Sequence, residues 1–150
     1  MKTARRSDQT QSSRRSDRRG LRQRGRDEIV SITPRVTPRG SLTGKIRFNA
    51  AVMTHEASAK ARYARLFYSR TSRAIAVRLD VEPVTGYRIT PAGNAGVIGT
   101  VGGFLDHFGL DPMKISGEYR TQRFRARDVG IDLDGEVLVI DLAKPVMRKR

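Results

Sequence analysis

The chain of 150 residues has no cysteine and no long apolar run. Without cysteine it has no disulfide, no thiol nucleophile and no cysteine-bound metal, and its redox compartment stays open. No apolar stretch approaches the roughly 18 residues that a membrane-spanning helix needs. The N-terminus is charged but has no apolar segment of the kind found in secretory signals. We therefore expect a cytoplasmic protein that does not enter membranes.

Residue patterns that mark catalytic sites are also missing. The sequence has no G-x-S-x-G and no H-E-x-x-H, and its glycine-rich stretch matches neither the dinucleotide fingerprint nor the P-loop. The two histidines, His55 and His107, have no companion ligands at metal-site spacing. Residues 132–136 begin like a calcium loop but lack the distal ligands, so a hairpin turn explains them better. We expect no enzymatic activity, no metal and no cofactor.

Acidic residues are scarce, and positive charge dominates the composition. Thirty Lys and Arg residues against fifteen Asp and Glu residues give a net charge of +15. Residues 1–27 hold ten basic and three acidic residues, and residues 144–150 hold four basic residues and no acidic one. Residues 28–143 are only weakly basic. Because net charge bears on partners rather than on fold, we expect a domain with two cationic ends and an anionic partner.

Residues 1–27 form an Arg- and Ser-rich arm with almost no large apolar side chain. Such a segment buries too little apolar surface to offset the entropy of ordering, so we expect it to be disordered when free. Guanidinium groups bond phosphate oxygens in a bidentate way, and Arg-rich arms commonly order on nucleic acid. A solubilising tail and a nuclear-targeting signal are the other interpretations. The candidate phosphate contacts in the arm are Arg14, Arg15, Arg18, Arg19 and Arg22.

Alternation and turn residues predict the elements of the globular domain, residues 28–143. Asn49 is a good N-cap for a helix, because its side-chain oxygen accepts from N–H groups of the first turn. Gly109, with Pro112 soon after it, marks the end of a second helix. Two prolines between residues 33 and 40 predict an edge or a loop. The predicted strands are 28–34, 42–48, 63–69, 74–80, 87–90, 118–127 and 136–142, and the predicted helices are 50–62 and 104–110.

Two segments of this domain resemble each other. Residues 44–57 align without a gap to residues 96–109, so that Ile46 meets Ile98 and the two histidines take equivalent positions. Each copy is followed by two β-like runs and a polar turn. A repeat of this kind organises the whole fold. We therefore predict an α+β fold with a small β-barrel-like core from two pseudo-repeated strand–helix–hairpin units, residues 44–80 and 96–142.

Arginines recur on both predicted hairpins. The strand EYRTQRFRAR places Arg123, Arg125 and Arg127 on one face, because alternate residues of a strand point the same way. Three like charges at this spacing repel one another, which favours an anionic partner over a solvated face. Arg70 and Arg73 lie at the tip of the other hairpin. These five arginines join the candidate phosphate contacts.

The order of basic loop, glycine, alternating strand, short helix and β-hairpin resembles the AbrB/MazE/SpoVT swapped-hairpin family. Its tandem form is similar to the MraZ branch of that family. The first copy carries the pattern in TPRGSLTGKIRFNAAVMTHEA and then in ARYARLFYSRTSRAIAVRL. The matching residues are Gly44, Ile46, Phe48, Ile75, Val77 and Leu79, with residues 50–56 as the helix, in the first copy, and Gly96, Ile98, Phe104, Leu105, Gly109 and residues 137–142 in the second.

The resemblance implies a DNA-binding regulator. In the family, basic side chains on the first strands and their loop contact DNA. Carried over by position, this nominates four residues, namely Arg35, Arg39, Lys45 and Arg47. The corresponding strand of the second copy has no basic residue, so we expect only the first copy to contact nucleic acid.

Nucleic acid is thus the expected partner, with DNA favoured over RNA. An RNA-binding protein stays open, because five aromatic residues lie among the basic ones and bases stack on such rings, namely Tyr63, Phe67, Tyr68, Tyr119 and Phe124. A capsid-like or chromatin-like assembly protein, whose arm neutralises packaged nucleic acid, is the interpretation from another class. It predicts self-association into large particles, whereas we expect the regulator to be a small homo-oligomer.

Overall fold

The computed structural model describes residues 27–56, 58–83 and 86–146. In these ranges strands predominate and the helices are short. The strands are β1 Ile29–Val36, β2 Leu42–Phe48, β3 Tyr63–Ser69, β4 Ala74–Asp80, β5 Tyr87–Arg88, β6 Thr90–Ala92, β7 Ala95–Ile98, β8 Gly117–Arg120, β9 Gln122–Arg125 and β10 Glu136–Asp141. The helices are α1 Ala50–Thr54, α2 Gly102–Phe108 and a single turn of 3-10 helix at Ala126–Val129.

The strands form two antiparallel sheets of five strands each. Sheet I has the order β6-β7-β2-β1-β8, and sheet II has the order β5-β3-β4-β10-β9. The predicted α+β fold with a barrel-like core is therefore wrong. The described chain is mostly β, its strand ladders belong to two separate sheets, and its α-helices have only five and seven residues.

The two segments that align in sequence meet each other in sheet I. Ile46 of β2 lies opposite Ile98 of β7, and Phe48 lies opposite Gly96. The elements after them do not form matched units. After α1 the chain makes the β3–β4 hairpin within sheet II, whereas after α2 it enters sheet I as β8 and only then sheet II as β9 and β10.

The sheets join at two corners, where the chain passes from one sheet to the other. At one corner β5 pairs with β3 in sheet II, and the next strand, β6, pairs with β7 in sheet I. At the other, β8 pairs with β1 and β9 pairs with β10. Strands that switch sheets form such corners in packed sheets. The predicted strand 118–127 is therefore wrong as one element, because it breaks at Thr121 and ends at Arg125.

The core lies between the facing sides of the two sheets. Alternate residues of each strand point inward. The eight central side chains are each at most 2 % exposed, and they are Val30, Ile32, Ile46, Phe48, Ile75, Val77, Leu138 and Ile140. The helices add Val52, Phe104 and Leu105 to the same cluster. This inward set determines which residues of sheet I are left to face solvent.

The first helix is shorter than predicted. Asn49 caps it, with the side-chain Oδ1 accepting from the Val52 amide at 3.1 Å, so the predicted N-cap is confirmed. The helix ends at Thr54, and the following turn buries Ser58. The second helix ends at Phe108, and Gly109 follows it with a φ of 65°, which confirms the predicted left-handed cap.

Candidate nucleic-acid interface

The outer side of sheet I carries a group of cations among small side chains. Because the inward residues of β1 and β2 are fixed by the core, Ser31, Thr33 and Arg35 point outward, and so do Lys45 and Arg47. Thr33 lies opposite Lys45, and Ser31 lies opposite Arg47. Arg47 is exposed and Lys45 is half-buried. We call these five residues the basic face.

Little negative charge is close to the basic face. From Ile29 to His55 the sequence has four cations and neither Asp nor Glu. Among the described strands of sheet I, Glu118 of β8 is the one carboxylate on the outer side, where it lies opposite Ser31. No described carboxylate forms an ion pair with Lys45 or Arg47. Both cations are therefore available to an external anion.

Arg35 lies across the basic face. Its Nη1 donates to the Gly99 carbonyl at 2.8 Å, although its own cross-strand partner is Thr43. The side chain therefore reaches over β2. Thr43 is only 3 % exposed, and its hydroxyl bonds that of Thr100 at 2.8 Å. This single bond leaves the other N–H groups of the guanidinium unbonded to described residues. Arg35 is thus held in place with donors to spare.

The β1–β2 hairpin extends beyond its neighbours. β1 continues through Pro34 to Val36, where the sequence predicted a loop or an edge. Its tip is a turn closed by Thr37, whose carbonyl accepts from Gly40 at 2.8 Å and whose amide donates to Ser41 at the same distance. Arg39 lies in this turn and is exposed. The hairpin therefore presents Arg39 at its outermost point.

The β3–β4 hairpin matches its predicted bounds and ends in a second basic turn. Arg70 and Arg73 are both exposed there and make no ion pair with described residues. The turn is tied by the Ser69 hydroxyl, which accepts from the Ser72 amide at 3.2 Å. Arg73 has a φ of 52°, a left-handed conformation that costs free energy for any residue other than glycine. The turn therefore places the guanidinium of Arg73 on the surface at a residue whose backbone is strained.

Arg123 is placed differently from these residues. Its guanidinium donates to Glu28 Oε1 at 2.7 Å and to the Ser58 hydroxyl at 3.0 Å. Nη1 of Arg123 also lies 3.6 Å from Oε1 of Glu136, and the Arg123 side chain is only 15 % exposed. Arg123, Ser58 and Glu136 line a cleft of about 440 Å³ between the turn after α1 and sheet II. Arg123 therefore joins elements of the domain rather than facing a partner.

Arg125 and Arg127 are exposed but have carboxylate partners. Arg125 pairs with Asp128 at 3.3 Å. Arg127 lies in the 3-10 helix rather than on the predicted strand, and it bonds Asp132 as well as Asp134, the latter at 3.0 Å. A guanidinium thus lies among the carboxylates of the segment that begins like a calcium loop. The predicted row of three free arginines is not formed.

The arginines predicted in the arm, from Arg14 to Arg22, lie outside the described residues. The basic tail is described only as far as Val146. The described part of the candidate site therefore consists of the basic face and two basic turns. These turns are residues 37–41, which contain Arg39, and residues 70–73, which contain Arg70 and Arg73.

Two of the five candidate aromatic residues and one of the histidines pack against other side chains of the domain. Tyr119 is 2 % exposed and donates its hydroxyl to the Ile115 carbonyl at 2.7 Å, so it is not open to a base. Tyr68 packs on Phe108, with ring centroids 5.3 Å apart. His107 stacks edge-on against the same ring at 4.6 Å, whereas His55 follows α1 as its C-cap.

No helix in the described ranges is long and apolar enough to cross a membrane. No group of three or more His, Cys, Asp or Glu side chains within those ranges has the arrangement of a metal site.

No family model, no curated protein and no solved structure matches this chain.

Proposed function

We propose that this protein binds nucleic acid, duplex DNA in the first place, through the basic face and the two basic turns. One contrast carries the proposal. Lys45 and Arg47 have no carboxylate partner among described residues, whereas Arg123, Arg125 and Arg127 each have one or two. Unpaired cations on a flat sheet surface suit the phosphate backbone, where most of the affinity for nucleic acid arises.

The surrounding geometry supports the same proposal. Arg35 is held across the sheet by the Gly99 carbonyl, so less side-chain entropy is lost when it contacts a phosphate. Hydroxyls of Ser31 and Thr33 lie between the cations and are of the kind that commonly bond phosphate oxygens. We propose a DNA-binding regulator in the cytoplasm, associated with the nucleoid if the source is bacterial or archaeal.

The test is a salt titration of binding to a duplex, made on the full chain. Each neutralised phosphate contributes about 0.9 to the slope of log K against log salt on duplex DNA. Lys45→Gln with Arg47→Gln should therefore flatten the slope by roughly two units. The matched control is Arg125→Gln with Arg127→Gln, which removes the same charge from residues that already have partners.

We expect the control to leave the slope unchanged within error. Equal losses in both double variants would show that net charge alone governs binding, and would overturn the assignment to the basic face. The same titration on structured RNA decides between the two nucleic acids.

An assembly protein is a second candidate, and one observation favours it. Phe124 is 38 % exposed on the outer side of sheet II, next to the apolar cluster of Phe67, Val137 and Val139. Exposed apolar patches often mark contacts between proteins. Light scattering of the full chain tests this candidate. Large particles that dissociate when Phe124→Ser is introduced would support it, and a plain dimer unaffected by that change would exclude it.

A further inference from the structure

The tip of the β1–β2 hairpin combines two exposed aliphatic side chains with cations. Val36 is 66 % exposed and Leu42 is 48 % exposed. The two residues lie directly opposite each other in the ladder. They point to the same side as the core residues Ile32 and Ile46 but lie beyond the end of the core. The core therefore leaves this apolar pair uncovered.

The hairpin is a two-stranded ribbon that projects at its tip, from Val36 to Leu42, whereas Arg35, Thr43 and Gly44 are still bonded to residues 99–101. β8 pairs with β1 only at residues 29–32, and β7 pairs with β2 only at residues 46–48. Residues 33–36 and 42–45 have each other as their ladder partners. Pro34 and Pro38 restrict the backbone of the ribbon, which lowers the entropy lost when it is fixed against a partner.

Charge complementarity identifies the partner. Arg35 adjoins Val36 along the strand and points to the opposite side of the ribbon, Arg39 lies in the turn at its tip, and no acidic residue occurs between Ile29 and His55. A cationic ribbon with small apolar side chains at its tip suits the minor groove of a duplex, where proteins insert such side chains between base steps and kink the helix. Two aliphatic side chains form too small a surface to anchor the chain on a membrane.

We propose that Val36 and Leu42 act as a wedge that enters a base step of duplex DNA while the adjacent arginines bind the flanking phosphates. This inference rests on the proposed function. It adds that binding bends the duplex and favours steps that are already unstacked, because unstacking costs free energy.

The experiment compares the affinity of the full chain for an intact 24-base-pair duplex and for the same duplex with a central nick. We expect the native protein to bind the nicked duplex about tenfold more tightly, since part of the unstacking has been done beforehand. Val36→Ser with Leu42→Ser should bind both duplexes equally and keep the salt slope of the native protein. The matched control is Val81→Ser, which changes another valine, 54 % exposed and outside the ribbon. It should keep the preference for the nick.

Each outcome separates the wedge from the function on which it rests. A native protein that binds both duplexes equally overturns the wedge and leaves DNA binding standing. A native protein that binds neither duplex overturns the proposed function itself. If the double serine variant unfolds at a lower temperature than the native chain, Val36→Ala with Leu42→Ala replaces it. Retention of the nick preference by that variant also overturns the wedge, as does binding of vesicles of anionic lipid in preference to DNA.

Discussion

The guanidinium of Arg35 lies against Gly99, donating from Nη1 to the Gly99 carbonyl at 2.8 Å. A Cβ at position 99 would lie 3.0 Å from that nitrogen and would meet no other atom within 4 Å. The absence of a side chain at Gly99 thus lets Arg35 lie flat across the sheet. The two residues are 64 positions apart, so the shape of the basic face depends on the pairing of β2 with β7.

Gly99→Val should release Arg35 from the face with little effect on stability, because the group that must move is the end of a flexible side chain. We expect duplex affinity to fall about two- to tenfold, since the freed side chain must then be ordered on binding. Arg35→Ala should cost at least as much. In the Arg35→Ala background Gly99→Val should have no further effect, which a double-mutant cycle measures. Additive losses would contradict the link between the two residues.

Arg73→Gly should raise the free energy of unfolding while weakening nucleic-acid binding. The left-handed φ of 52° at Arg73 costs roughly 1–2 kcal/mol for a residue with a side chain, and glycine removes much of this cost. Urea unfolding measures the gain, which we expect to be about 0.5–1 kcal/mol after the larger unfolded-state entropy of glycine is subtracted.

Arg70→Gly is the matched control for that change. It removes the same charge from the same turn at a residue that is not in a positive-φ conformation. It should therefore lower stability, whereas both variants should weaken binding. Lower stability in Arg73→Gly would show that the side chain contributes more to the fold than its backbone strain removes.

Local patterns account for the parts of the fold and site that were predicted well. The β3–β4 hairpin and strand β2 match their predicted bounds, because alternation and turn residues are local signals. The same alternation places Arg35, Lys45 and Arg47 on one side. The absence of any acid between residues 29 and 55 was a visible sign that these cations lack neighbouring partners.

Long-range contacts account for the errors. Thr121 ends β8 by donating its amide and its hydroxyl to the Glu28 carbonyl, at 3.0 and 3.2 Å and 93 positions away. Arg123 bonds Glu28, which lies 95 positions away in the chain, so no local pattern could predict this ion pair. The partners of Arg127 are only five and seven residues ahead of it. Those acidic residues were a local signal that the predicted row of arginines neglected.

Tyr119→Phe should destabilise the protein at neutral pH and less so at alkaline pH. Burial raises the pKa of the Tyr119 phenol above its ordinary value of 10.0, and the positive charge of Arg73 offsets part of this rise. As the pH passes 10 the unfolded phenol ionises first, so the unfolded state binds fewer protons and the free energy of unfolding falls. The contribution of Tyr119 is complete below pH 10 and is lost as the pH rises through the folded pKa.

Urea unfolding of the native protein and Tyr119→Phe between pH 8 and pH 11 measures this effect. At pH 8 the variant should lose about 1 kcal/mol, because the Ile115 carbonyl loses its 2.7 Å hydrogen bond. The difference between the two proteins should narrow above pH 10. A constant difference over the whole range would show that the phenol titrates alike in the folded and unfolded states.

Asn49→Ala should be among the most damaging changes at a partly exposed position, because one side chain joins three segments. Its Oδ1 accepts from the amides of Val52 and Ile29, at 3.1 and 3.2 Å, and its Nδ2 donates to the Asp27 carbonyl at 2.7 Å. Loss of the cap and of the bonds to β1 should lower the free energy of unfolding by about 2–3 kcal/mol in urea. Asn49→Asp keeps the acceptor but not the donor, so its free energy of unfolding should fall between those of the native protein and Asn49→Ala.

Thr54→Ala is the control for Asn49→Ala. It removes a single exposed bond to Ala50 in the same helix and should cost about 0.5 kcal/mol or less. Equal losses for Asn49→Ala and Thr54→Ala would show that Asn49 stabilises only the start of α1 and does not fix the start of β1.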